Sequence, residues 1–305
     1  MLSGSTFLVT GATGRLGAAL TYRIEELGAH VVPVIFGGYP DRPRRIPWPA
    51  RTAPLRIGHP GDIQDLPRPD YVINCHWEVA RNLRFAEQLA FEVDRNLRAI
   101  DALWDWLASQ KPRAFVNVSS IRIFGPLNAG PISSETEPRP ATPYGIAKLA
   151  AEKFFDAHFR DSGVSVGHLR LCSVMAAGSH PSQLASRLIS SMFQGQKIRI
   201  NKGHLTYVLY IDEAVDLLVE AAVRAKSGRF NIVSAGSPNE TIAELFGKIA
   251  GRAIDAEYLD LAPGVEDPVF ISDADEFRAG WVRRTPLEDA IRKTVELSSQ
   301  RRHKQ

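Results

Sequence analysis

Tyr144 and Lys148 stand four residues apart in the stretch Thr142-Pro143-Tyr144-Gly145-Ile146-Ala147-Lys148. Thr142 suits a helix N-cap and Pro143 a first helical turn, so the spacing predicts a helix beginning there. Residues i and i+4 share one helix face, so the phenol and the ammonium can reach a single site. A free tyrosine has a pKa near about 10 and is a poor base at neutral pH. A nearby positive charge favours the phenolate and lowers that value, which would make the pair a proton-exchanging device. The same spacing also occurs by chance on solvated helices, and the rest of the chain has to decide between the two.

A second group with chemical meaning lies near the N-terminus. Thr6 to Val9 reads as a buried strand, and it runs into Thr10-Gly11-Ala12-Thr13-Gly14-Arg15-Leu16-Gly17, after which Leu20, Ile24 and Leu27 recur at helical spacing. Gly11 permits a tight turn, Gly14 lets the backbone approach a pyrophosphate, and Gly17 lets helix pack on strand. Unpaired amides at the helix start would then meet the phosphate charge, so the turn points to a dinucleotide.

The elements that must position these groups alternate along the chain. Val31-Val32-Pro33-Val34-Ile35-Phe36 is a second continuous apolar run, followed by Tyr71 to Asn74, a long helix from about 81 to 109, the strand Ala114 to Ser119, the Pro143 helix and a strand from Val166 to Leu171. Continuous rather than alternating apolar strands belong to a sheet covered on both faces. The expected fold is α/β, a Rossmann-like doubly wound parallel sheet. Residues 37 to 60 carry six prolines and several arginines, and read as a surface loop. Beyond 171 the spacing turns irregular, with a polar-rich helix from about 182 to 194. The division expected is a dinucleotide-binding domain over 1–171, with 205–233 returning to it, and a smaller C-terminal substrate-binding lobe made of 172–204 and 234–305.

Taken together, these motifs resemble the extended branch of the short-chain dehydrogenases/reductases, the NAD(P)-dependent epimerase/dehydratase family. The Gly-x-x-Gly-x-x-Gly spacing is characteristic of that group, and Gly61-Asp62-Ile63 is similar to its adenine-contacting segment. Ser119-Ser120-Ile121-Arg122-Ile123-Phe124-Gly125 resembles its serine strand end, with Phe124 where a tyrosine is usual. Tyr210-Ile211-Asp212-Glu213-Ala214, Phe230-Asn231-Ile232 and Gly280-Trp281 through Ile291 resemble later segments, so the likeness runs through the whole chain. It implies Ser120, Tyr144 and Lys148 as the catalytic set, Ser120 polarising a substrate oxygen and Lys148 also holding the nicotinamide ribose. It implies Asn96 as a structural and proton-relay residue. Cofactor contacts are implied at Gly11, Thr13, Gly14, Arg15, Leu16, Gly17, Asp62, Ile63, Asn74, Cys75, His76, Tyr144 and Lys148.

Departures from the pattern bear on substrate. The segment Asn74-Cys75-His76-Trp77-Glu78 replaces residues that are usually small in relatives. His76 is a candidate acid/base or substrate contact, although packing is its better reading, and Trp77 and Glu78 are pocket candidates. Ile121 and Arg122 stand where dehydratases carry an acidic pair, which disfavours 4,6-dehydration. Ser173 and Leu205 fall where nucleotide-sugar epimerases carry an asparagine and an arginine, leaving Arg187, Lys197, Arg199 or Lys202 as replacement clamps for a diphosphate. No acid ends the second strand, and Arg15, Arg42, Arg44 and Arg45 lie close by, which favours NADP over NAD.

Bulk properties narrow the remaining classes. The 305 residues are 44% hydrophobic and 23% charged with net charge +3, enough for a full core and without the clustered basic surface of a nucleic-acid binder. The basic tail Arg301-Arg302-His303-Lys304 reads as solvated. Cys75 and Cys172 lack metal or redox spacing and read as buried thiols in a reducing compartment. No apolar run reaches the ~20 residues of a membrane span, and no signal peptide precedes the first strand, so a cytoplasmic protein is expected. The leading expectation is hydride chemistry at a carbinol or keto carbon of a nucleotide-linked sugar, by 4-epimerisation or 4-keto reduction. The alternatives are a reductase or dehydrogenase of a small non-sugar ketone, aldehyde or alcohol, and a non-catalytic dinucleotide-binding protein. The family likeness implies a homodimer through the long helix and the Tyr144 helix, and no metal.

Overall fold

The computed structural model describes residues 2–36, 51–58, 60–80, 82–125, 130–179, 183–260 and 267–302. In the first half of the chain, β1 (Thr6–Thr10) leads into α1 (Arg15–Glu26), then β2 (His30–Phe36), β3 (Leu55–Ile57) and β4 (Tyr71–Asn74). After α2 (Phe85–Asn96) and α3 (Asp101–Gln110) come β5 (Ala114–Ser120), the short β6 (Pro131–Ile132), α4 (Pro143–His158) and β7 (Ser165–Leu171). The second half contains β8 (Ser173–Met175), α5 (Leu184–Gln194), β9 (Ile198–Asn201), β10 (Leu205–Tyr210), α6 (Ile211–Arg224), β11 (Gly228–Ile232), β12 (Gly236–Pro238), α7 (Asn239–Ala250), β13 (Ala256–Leu259), β14 (Val269–Phe270) and α8 (Leu287–Arg302).

Seven strands form one sheet in the order β11-β7-β5-β4-β1-β2-β3, and every neighbouring pair is parallel. Strand order reverses between β1 and β4, which makes the carboxyl ends of those two strands the switch-point crevice where ligands of doubly wound sheets bind. Two separate apolar clusters cover the sheet. One gathers Leu20, Ile24, Leu218 and Ala222, and the other Trp104, Phe115, Phe155 and Phe159. This two-sided cover is the reason the strands read as continuous apolar runs.

Two sequence expectations need correction. The long helix breaks into α2 and α3: Leu97 leaves the helical region (φ −123°, ψ −63°) and a 3-10 turn at Arg98–Ile100 re-aims the chain. Leu97, Ile100, Leu103, Trp104 and Leu107 all face the core, so the bend follows the buried stripe. Within the proline-rich stretch, Leu55–Ile57 adds an edge strand to β2, hidden by its brevity. Arg42, Arg44 and Arg45 lie outside the described residues.

A polar row crosses the apolar sheet. Thr10, Asn74, Asn117 and His168 are adjacent in register on β1, β4, β5 and β7, and all four are buried. Each donates to the next: Thr10 Oγ1 to Asn74 Oδ1 (2.6 Å), Asn74 Nδ2 to Asn117 Oδ1 (3.1 Å), and Asn117 Nδ2 to His168 Nδ1 (3.2 Å). His168 Nε2 continues to Asp156 Oδ1 at 2.9 Å, and the backbone N–H of His76 feeds the other end, donating to Thr10 Oγ1 at 3.2 Å. A single donor direction satisfies every buried group and lets neighbouring bonds polarise one another. The row pins the end of β4 to the end of β1, beside the glycine turn.

Candidate active site

The glycine turn comes first. Gly11 has φ +63°, and a Cβ there would lie 2.8 Å from the backbone of His76, so only glycine lets the two strand ends approach. At Gly17 a Cβ would stand 2.3 Å from the carbonyl oxygen of Gly11, so α1 packs directly on the turn. No side chain caps α1 at Gly14, and no acid occupies its first turn. The positive end of the helix therefore faces the crevice without a competing anion, the arrangement a pyrophosphate requires. Thr13 and Leu16 flank the turn, Leu16 against the core, and Arg15 NH1 reaches 2.5 Å to the carbonyl of Gly178 in the second half of the chain. Asp62 accepts from the Gly58 amide at 2.7 Å while Ile63 is buried below, so that segment is fixed at the rim beyond β3.

The tyrosine helix starts as its sequence predicts. Thr142 Oγ1 accepts from the Gly145 amide at 3.1 Å, and Pro143 occupies the first turn. Gly145 is required for a separate reason: a Cβ would lie 2.5 Å from the carbonyl of Arg122, so α4 rests on the turn that follows β5. That contact brings the Tyr144 phenol near the Ser120 hydroxyl, which favours its ionised form. Ser120 Oγ also accepts from the Arg122 amide at 3.2 Å. Lys148, 4% exposed, donates from Nζ to the Val118 carbonyl at 2.9 Å. The three side chains of the expected set thus converge at the end of β5, with β4 between them and the glycine turn.

The electrostatics depart from the sequence expectation. Burial pushes the Tyr144 phenol above its ordinary value and the Glu92 carboxylate adds to this, outweighing the Ser120 hydroxyl and the Arg122 charge. The same burial drives Lys148 down to about 7, which costs it much of its charge at neutral pH and weakens its pull on the phenol. Cys75, pushed up to about 12 by burial, stays a neutral thiol beside it. His76, taken down to about 4 by burial, is a neutral imidazole packed edge-on to Phe36 with centroids 4.6 Å apart.

The segment after β4 holds the least expected geometry. Asn96 Oδ1 accepts from the Glu78 amide (2.6 Å), and its Nδ2 donates to the carbonyls of Glu78 (2.9 Å) and Glu92 (2.7 Å). Its amide therefore clamps the backbone at Glu78 to α2. The Glu78 side chain turns to Arg95 at 3.4 Å. Trp77 packs edge-on to Tyr144 with ring centroids 6.2 Å apart, and Lys148 Nζ lies 3.7 Å from the indole centroid. Trp77 Nε1 donates to Glu92 Oε2 at 3.2 Å, and Gln88 Nε2 to Glu92 Oε1 at 2.8 Å. Glu92 is fully buried, and sequence reasoning missed it. Its signal was a charged residue on the inward, Asn96-bearing stripe of an otherwise ordinary amphipathic helix.

The remaining substrate candidates have the following contacts. Ser173, exposed on β8, pairs in register with Val208 of β10. Leu205 opens β10, and its amide donates to the Asp267 carboxylate, which also sits 2.7 Å from His204 Nδ1. Arg187 donates to the carbonyl of Arg199, and Arg199 pairs with Glu257 at 3.3 Å, so these two bind their own lobe. Lys197 and Lys202 are exposed.

A model of the NAD dependent epimerase/dehydratase family matches residues 7–234. The chain belongs to that family. It is similar to a dTDP-glucose 4,6-dehydratase of Streptomyces griseus, 25% identical over 307 residues that cover 94% of this chain and 92% of the relative. Its fold is shared with MoeE5 in complex with UDP-glucose and NAD, at TM-score 0.76 and 24% identity over 99% of this chain and 100% of that one. It is shared equally with RMD from Pseudomonas aeruginosa complexed with NADPH, at TM-score 0.77 and 20% identity over 98% of this chain and 100% of that one. The protein is thus an NAD(P)-dependent enzyme of this family. Among the described residues no helix is long and apolar enough to cross a membrane, and no group of three His, Cys, Asp or Glu could hold a metal ion.

Proposed function

We propose that this enzyme moves hydride at a carbinol or keto carbon of a nucleotide-linked sugar, by 4-epimerisation or 4-keto reduction. The observation that carries this reading is the convergence of Ser120, Tyr144 and Lys148 beside an uncapped helix start and its glycine turn. Gly11, Thr13, Gly14, Arg15, Leu16 and Gly17 would hold the pyrophosphate, Asp62 and Ile63 the adenine end, and Asn74, Cys75, His76 and Lys148 the nicotinamide end. When bound, the nicotinamide supplies the hydride donor or acceptor. Ser120 hydrogen-bonds the reacting oxygen of the substrate, and Tyr144 takes its proton or returns it. Lys148 orients this exchange from below, and Asn96 keeps the chain at Glu78 in place rather than passing protons, since both its N–H groups are committed to carbonyls.

Arg15 beside the turn supports NADP over NAD. Ile121 and Arg122 weigh against 4,6-dehydration, because neither can act as the acid or base that water loss requires. The substrate lobe is proposed as residues 172–204 and 234–305, a reading supported by the small sheets β12-β10-β8 and β13-β9. Homodimerisation in the cytoplasm is proposed through α2 and α4, supported by the apolar groove of Ala86, Leu89, Ala90, Phe91 and Val93 on the outer side of α2. A second reading, reduction of a small non-sugar ketone, aldehyde or alcohol, draws on the Asp267 carboxylate at Leu205, an unsuitable neighbour for a diphosphate. A purely dinucleotide-binding protein would have no use for the Ser-Tyr-Lys set.

The test incubates the purified protein with UDP-glucose, dTDP-glucose and their 4-keto derivatives, with NAD or NADP in either redox state, and identifies products by mass spectrometry and NMR. Epimerised or 4-reduced sugar is expected, and Tyr144→Phe should lose at least about a hundredfold in turnover. Accumulation of a 4-keto-6-deoxy sugar from dTDP-glucose would overturn the exclusion of dehydration. Turnover retained in Tyr144→Phe would overturn the assignment of the site.

A further inference from the structure

Lys148 has two close neighbours at its ammonium, the Val118 carbonyl at 2.9 Å and the face of Trp77 at 3.7 Å from the ring centroid. The indole in turn is held from its far edge, because Nε1–H donates to Glu92 at 3.2 Å. Glu92 is fully buried and pairs with no cation among the described residues; its carboxylate accepts from Trp77 on one oxygen and from Gln88 on the other. A buried carboxylate without a cation is costly, and here the nearest compensation lies across an aromatic ring whose face attracts an ammonium. An N–H that donates to an anion makes the indole richer in electrons, so the two contacts reinforce each other.

We propose that Trp77 and Glu92 are positioning residues for the Lys148–Tyr144 pair: the indole caps the ammonium against water and couples it to the buried charge of Glu92. This rests on the reading of Tyr144 and Lys148 given above. Trp77 also packs edge-on to Tyr144, so one side chain touches both members of the pair. The geometry is maintained from behind by Asn96, which fixes the backbone at Glu78, next to Trp77, to the helix that carries Glu92. The other titratable and charged groups around the pair are Cys75 at the end of β4, Glu152 on α4, Arg122 after β5, and the neighbours His76 and Arg95. Cys75 and His76 are neutral at working pH, which leaves Glu92 and Glu152 as the carboxylates that favour charged Lys148.

The signs follow from this arrangement. Removing a negative charge favours every deprotonated form nearby, so Glu92→Gln moves the ionisations of both Lys148 and Tyr144 to lower pH. Trp77→Leu keeps the surroundings of the ammonium apolar but removes the ring face that attracts it, so it moves Lys148 further down from about 7. Trp77→Phe keeps a ring face over Nζ and loses only the link to Glu92.

The experiment titrates Lys148 by NMR of protein labelled with 13C at lysine Cε, its signal assigned with Lys148→Arg, in the wild type and the three variants. A downward shift of about one unit is expected in Glu92→Gln. A downward shift is also expected in Trp77→Leu, with Trp77→Phe lying closer to the wild type. The pH profile of turnover should move with the Glu92→Gln titration. Unchanged Lys148 titration in both Glu92→Gln and Trp77→Phe would overturn the proposal, and these two variants decide it should Trp77→Leu not fold. Tyr144→Phe separates the two readings: if it stays active while the Lys148 titration shifts as described, the proposed function fails and the coupling stands.

Discussion

Glu152 and Arg170 offer the most demanding test of how the site is supported. Both side chains are essentially inaccessible, and Arg170 meets Glu152 in a fork, Nε to Oε1 at 3.1 Å and NH2 to Oε2 at 2.9 Å. Arg170 NH1 donates to the Ser134 carbonyl at 2.8 Å, and Ser119 Oγ donates to Glu152 Oε1 at 2.6 Å. Glu152→Gln would therefore leave a guanidinium buried with no counter-charge, at a cost of about 3–5 kcal/mol. Arg170→Met is expected to cost less, because Arg229 Nε lies 3.6 Å from Glu152 and remains as a partner. The double variant Glu152→Gln with Arg170→Met leaves no buried charge unpaired and should recover most of the loss, short of about 1 kcal/mol for the orphaned Ser134 carbonyl. Equilibrium urea unfolding of the four proteins measures the cycle, and each kcal/mol should appear as about 2–4 °C in Tm. A Glu152→Gln protein within about 1 kcal/mol of wild type, or a double variant as unstable as the sum of the singles, would refute the argument that the pair compensates internally. Glu152 lies one turn beyond Lys148 and bonds the serine before Ser120, so Glu152→Gln should also lower turnover.

Other perturbations have expected outcomes of their own. Gly17→Ala drives a Cβ to 2.3 Å from the Gly11 carbonyl, so α1 must move off the turn, and calorimetry should find dinucleotide binding lost before the fold is. Asp216 is held below the ordinary 3.8 despite its burial, by hydrogen bonds and charge from Arg283 and Arg23. The stability it contributes is complete above that value and is lost as pH falls through the lowered one, so the gap between wild type and Asp216→Asn in urea melts should narrow below about pH 4. Burial keeps the Cys75 and Cys172 thiols near about 12 and about 11, so at pH 8 iodoacetamide should leave both intact in folded protein and label both in urea. Asn117→Leu interrupts the polar row at its centre and strands the Asn74 amide and the His168 ring, costing about 1–3 kcal/mol in urea unfolding.

Much of the molecule was legible in the sequence because its signals are local. Strand-glycine-helix succession, continuous apolar runs and the Thr142-Pro143 start each depend on a few adjacent residues, and the structure places them accordingly. What failed was everything decided by a distant neighbour. The expected helix 81–109 bends at Leu97 to follow a stripe that packs on β5 and α4, and helical periodicity over a few turns does not register such a bend. The Tyr144 phenol is raised chiefly by burial, and Glu92, 52 positions earlier, adds to it, neither of which shows in the local sequence. Trp77 showed in the sequence only as a bulky residue in an unusual place. Its meaning depends on Lys148 and Glu92 meeting it from two different helices, and that meeting is set by Asn96 gripping the chain at Glu78 and by Gly145 letting α4 rest on the turn after Ser120. The side chains that meet around Tyr144 are thus brought together with the help of two small contacts that carry no chemical signal of their own.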